Sequence, residues 1–80
     1  MTRDEELRIQ MENDLRKLKQ RLKQNPQDSA GMLALRMKYP FNSSSSALKS
    51  LLLNDDYDLK TLSSLLLAEY HSWNRKHRNR

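Results

Sequence analysis

Apolar residues fall at Leu7, Met11, Leu15, Leu18 and Leu22, in steps of three and four. At about 100° per residue they cover a helical stripe of about 80°. Thr2-Arg3-Asp4-Glu5 precedes the stripe and fits a capping box, with Thr2 accepting from the amide three residues on and Glu5 reaching back. Acids gather in the first half of this segment (Asp4, Glu5, Glu6, Glu12, Asp14). Bases gather in the second (Arg16, Lys17, Lys19, Arg21, Lys23), the order a helix macrodipole favours. Glu12 and Arg16 add an i,i+4 pair in the favourable direction. The pattern predicts a first helix that stops near Gln24.

Asn25-Pro26-Gln27-Asp28 reads as a restart. Asn25 is the expected N-cap and Pro26 the first helical residue, where its missing N–H costs nothing. The second helix carries Ala30, Met32, Leu33, Leu35, Arg36 and Met37. Gly31 weakens it by about 1 kcal/mol relative to alanine. Tyr39-Pro40 ends it, because the residue before proline is pushed out of the α region. The low-complexity run Pro40-Phe41-Asn42-Ser43-Ser44-Ser45-Ser46 reads as a connection, one of its later serines capping a short third helix from about Ser45 to Leu53. Asn54-Asp55-Asp56-Tyr57-Asp58 is the next turn, with Asp56 or Asp58 capping a fourth helix. Its stripe is Leu59, Leu62, Leu66, Tyr70 and Trp73, which predicts a helix to about Trp73 or beyond.

The leucine-rich helices differ from the first. Leu51-Leu52-Leu53 and Leu65-Leu66-Leu67 each cover about 200° of a helix and cannot all face one neighbour. The third and fourth helices are therefore expected at the centre of the bundle, or with part of their surface given to a partner. The narrow stripe of the first helix has the width of a coiled-coil seam or a single docking surface.

Composition narrows the class. The chain has no valine, one isoleucine and two threonines against fifteen leucines, which argues against a sheet. The expected fold is all-α: a small bundle of three to four helices, built as two helical hairpins joined by the Ser-rich connection. It forms a single domain over 1–80, with 74–80 as a basic C-terminal arm. A chain of 80 residues buries only about 60% of its unfolded surface, so its core is marginal. With no cysteine, disulfides and thiolate metal sites are ruled out, and oligomerisation is the remaining device. A homodimer is expected. No apolar h-region follows the N-terminus, and the longest apolar run is far short of the ~20 residues a bilayer requires. The expected location is cytoplasmic or otherwise intracellular, with no membrane partner.

Candidate chemistry is sparse. The two histidines, His71 and His77, lie late in the chain with no nucleophile arranged beside them. Asp55, Asp56 and Asp58 lack the glycine and closing glutamate of a calcium loop and read as a turn with a helix cap. A single glycine leaves no phosphate-binding loop. No catalytic residue, cofactor or metal is expected.

The charge is where function is most legible. The net charge is +5, and Arg75, Lys76, Arg78 and Arg80 crowd the end of the chain just after Tyr70 and Trp73. Such cations neutralise phosphates, and an aromatic beside them can stack on an unpaired base. The plain alternative is that they complement a helix C-terminus and keep a small protein soluble. Arg16, Lys19 and Lys23 form a second ridge, roughly opposite the apolar stripe of the first helix. A helix-turn-helix reader is disfavoured, because the acidic turn before the fourth helix would meet phosphates. The expected function is non-enzymatic: a regulatory or accessory protein that binds nucleic acid, DNA or RNA, through its basic C-terminal arm, helped by the first-helix ridge. The alternative is a helical protein-interaction module that oligomerises or docks on an acidic partner surface.

Overall fold

Four caps set the four helices of the computed structural model, which describes residues 2–78. The helices are α1 (Arg3–Gln24), α2 (Ser29–Lys38), α3 (Ser45–Leu53) and α4 (Leu59–Arg78). No strand occurs among the described residues. Thr2 Oγ1 accepts from the Glu5 amide at 3.1 Å and Ser44 Oγ from the Ala47 amide at 3.1 Å. Asp58 Oδ1 accepts from the Thr61 amide at 2.6 Å, and the bonds from Thr61 hold this carboxyl below the usual range.

The start of α2 departs from expectation. Asn25 is the C-cap of α1, its amide bonded to the Arg21 carbonyl at 2.9 Å, and Pro26 lies in the turn. The N-cap of α2 is Asp28, which accepts from the Gly31 amide at 3.5 Å. Its other oxygen pairs with Arg21 of α1 at 2.8 Å. Asp28 thus caps the start of α2 and ties it to α1; a cap at Asn25 would give up the ion pair.

α1 and α4 run antiparallel as the main packing pair: Asp4 meets His71 at one end, and Lys19 meets Asp55, just ahead of α4, at the other. α1 touches every other helix. Its stripe residues Met11 and Leu15 are fully buried, with Leu52, Leu62 and Leu66 among the residues completing the cluster. The hub of the bundle is therefore α1, with α4 as its main partner and α3 to the side. A stripe on a 22-residue helix is long enough for successive neighbours to occupy different stretches of it. Leu51, Leu53 and Leu67 pack partly buried around this core, so one chain absorbs most of both leucine runs. Leu65 remains exposed.

Gly31 has a packing use that its low helix propensity conceals. A β-carbon there would come within 2.8 Å of Leu18 Cδ1, so the bare backbone leaves room for this buried side chain of α1. The Ser-rich connection is also tied down. Phe41 is buried in the core, and the Arg36 guanidinium lies 4.1 Å over its ring. The same guanidinium donates to the carbonyls of Phe41 and Ser43. The Ser43 amide and hydroxyl both bond to Glu69 of α4 at 2.7 Å. No described helix is long and apolar enough to cross a membrane.

Candidate nucleic-acid interface

The expected basic arm is, over its described part, the last turn of a helix. α4 continues through Arg78, while its antiparallel partner begins only at Arg3. Arginine and lysine are good helix formers, and cations at a helix C-terminus complement its dipole, so the helix extends once the packed part has nucleated it. Arg75 and Lys76 are exposed on this extension. Arg80 lies outside the described residues, as does the side chain of Arg78.

Trp73 departs from its expected place in the core. The last aromatic of α4 packed against the core is Tyr70, whose ring meets that of Tyr39 edge-on at 6.2 Å. Trp73 is half-buried and lies one turn later, where α1 has run out. Its companion is His77, whose ring stacks on the indole at 3.9 Å and 18°. His77 Nδ1 also lies 2.9 Å from the Trp73 carbonyl oxygen, which fixes the orientation of the imidazole.

The first-helix ridge lies elsewhere and is not purely basic. Arg16 donates to Glu12 at 3.0 Å and to Asn13 at 2.9 Å. Lys19 and Lys23 both sit 3.5 Å from Asp55, which reaches across from the turn before α4. The field of Lys23, then its hydrogen bond and that of Lys19, holds the Asp55 carboxyl below its usual range. Arg16, Lys19 and Lys23 line a shallow cleft with Gln20 and Leu59. Because the two helices are antiparallel and rise 1.5 Å per residue, this ridge stands about 25–35 Å from the end of α4. The two sets of cations are not one patch.

The fold engages most of the other bases. Arg8 bonds to Glu12 at 2.7 Å and to the buried Ser63 at 2.9 Å. Lys38 pairs with Asp14 at 2.9 Å, and Lys49 donates to the Pro26 carbonyl. Among the described residues, ion pairs and side-chain hydrogen bonds leave out only Arg3, Lys17, Lys60, Arg75 and Lys76 from the bases. Arg75 and Lys76 are the adjacent pair in that set. Arg3 joins them at the same end of the molecule, in a cleft shared with Asn74. Sequence reading passed over Arg3 as part of a cap; the signal was the antiparallel pairing that returns α4 to the start of α1. Asp4 and Glu6 line the same cleft, so the cationic end is bordered by acid on one side.

One partly buried polar cluster lies away from this end. The Tyr39 hydroxyl donates to Asp14 Oδ2 at 2.5 Å, and Lys38 Nζ sits 2.9 Å from the same oxygen. Burial, then the bond to Asp14, pushes the Tyr39 phenol up to about 12. Burial pushes Asp14 up as well, but the bonds from Tyr39 and Lys38 outweigh it and leave the carboxyl below its usual value. A phenol this weak releases no proton near neutrality, so the cluster clamps the end of α2 to α1. With a folded pKa above the unfolded ~10, its contribution is present below pH ~10 and lost as pH rises through the folded value. An ultraviolet titration should show a late tyrosinate step near pH 12 that disappears in Tyr39→Phe.

No group of three or more histidines or carboxylates able to hold a metal occurs among the described residues. Comparison of the chain with protein-family models, with curated proteins and with solved structures finds no match.

Proposed function

We propose that this chain is a small non-enzymatic accessory protein that binds nucleic acid through the basic end of α4. One observation carries the reading: the fold engages most of its other bases internally and leaves Arg75 and Lys76, neighbours in sequence, exposed on an overhanging helix end. In sequence Arg78 and Arg80 follow them. Cations displayed this way are available to displace counterions from a phosphate backbone. The Arg16–Lys19–Lys23 ridge is an auxiliary contact at most, since Glu12 and Asp55 already engage it.

Fluorescence anisotropy with a labelled oligonucleotide tests this. Deleting residues 74–80 should remove most of the affinity. The melting temperature should move by only a few degrees, because the deleted turn lies beyond the packed core. Arg16, Lys19 and Lys23 to Gln should weaken binding less. A truncated chain that binds as tightly as the full one would end this reading.

A second reading, self-association, is favoured by a different surface. Leu33 and Met37 stand one turn apart on α2 and are 59% and 74% exposed. Two such faces meeting across a two-fold axis give a homodimer with a small apolar seam. Sedimentation equilibrium over micromolar concentrations decides it: Leu33→Lys should shift the equilibrium to monomer, and a single 9.5 kDa species throughout would exclude the dimer.

A further inference from the structure

We propose that the ligand at the end of α4 is a single strand, and that Trp73 with His77 is the platform on which an unpaired base stacks. The inference rests on the nucleic-acid reading above and names the class of nucleic acid. At about 100° per residue, Trp73, Lys76 and His77 fall within an arc of about 100°, and this arc continues the stripe of Leu62, Leu66 and Tyr70. Upstream, α1 covers that stripe and buries Leu62 and Leu66. Past Arg3 no described residue of α1 remains to cover it. The core face of α4 therefore runs out of the bundle carrying two flat rings and a cation, with Arg75 on the opposite side of the helix.

The rings are already arranged for stacking. Indole and imidazole lie nearly parallel at 3.9 Å, and His77 is exposed. A nucleobase extends this stack by one ring, while Lys76 on the same face meets the adjoining phosphate. An unpaired base has a face free to join such a stack; a base inside a duplex is covered on both sides by its neighbours. The plain explanation, that Trp73 is here for packing, is at odds with its absence from the side chains around the core.

The chain has one tryptophan, so its fluorescence reports this site alone. The full chain is titrated at low salt with oligothymidylate, oligouridylate and a duplex, following indole emission and the anisotropy of labelled strands. Both single strands should quench the emission, and their relative affinities separate DNA from RNA. Trp73→Ala should weaken single-strand binding about 5- to 150-fold, the usual worth of one base–aromatic stack, and leave duplex binding nearly unchanged. Trp73→Phe should restore much of it, and His77→Ala should show an intermediate loss. Circular dichroism confirms that each variant remains helical. Strand binding without a change in indole emission, or an equal loss on strand and duplex in Trp73→Ala, would overturn the platform and leave the nucleic-acid reading standing. If the full chain binds neither strand nor duplex, both fail together.

Discussion

Leu66→Ala should destabilise the protein by about 2–5 kcal/mol, the range for truncating a buried leucine. Leu66 is 2% exposed on α4 and belongs to the same cluster as Met11 and Leu15 of α1. Removing its isobutyl group leaves a cavity against α1, the helix that touches all the others. Total stability at this size is about 4–12 kcal/mol, so the substitution removes a large part of it. Each kcal/mol shifts the melting temperature of so small a domain by about 4–8 °C, which places the expected drop at about 8–40 °C. Leu33→Ala is the matched control. That side chain is mostly exposed, so its loss should stay within about 0.5 kcal/mol. Urea melts of the three chains give both numbers. A loss below about 1 kcal/mol for Leu66→Ala would mean that the α1–α4 interface does not hold the core.

The helices were legible because periodicity and caps agree with one another. Ser44 and Asp58 cap where short polar residues precede an apolar run, and α3 spans the expected Ser45–Leu53. Asn25-Pro26 misled because the local cap rule ignores a tertiary bond: Asp28 serves both α2 and Arg21, and that double use wins. The hub of the bundle was not legible either. Three adjacent leucines look central on a helical wheel, but Leu51 and Leu53 are absorbed at the edge of the core while the sparser stripe of α1 runs through its middle. At the candidate site the cluster of cations was visible as composition, and its placement was not. Whether Lys19 and Lys23 are free depends on Asp55, which lies 32 or more residues away in the chain and 3.5 Å away in space. Whether Trp73 is core depends on where its antiparallel partner stops. Both facts are set by helix pairing, which a single sequence pattern does not encode.

Salt should distinguish a one-ended from a two-ended contact. If Arg75, Lys76, Arg78 and Arg80 each neutralise one phosphate, log K should fall with log salt with a slope of about 2.8 on a single strand and about 3.6 on a duplex. Raising salt from about 50 to about 200 mM then weakens binding roughly 50-fold on the strand and roughly 150-fold on the duplex. Engaging Arg16, Lys19 and Lys23 as well would raise these slopes to about 4.9 and about 6.3. The ridge starts at a disadvantage, because each of its cations already faces a carboxylate of Glu12 or Asp55. Exposed pairs of this kind are weak, so energy alone does not forbid their exchange for phosphate. Position does more to exclude it: a short oligonucleotide seated on the end of α4 does not reach a ridge about 25–35 Å back along the helix pair. The expected result is the lower slope, unchanged when Arg16, Lys19 and Lys23 become Gln, and nearly flat when residues 74–80 are deleted. A slope near 5 on a short strand, falling by about 2 in the Gln variant, would show instead that both ends of the molecule hold the ligand.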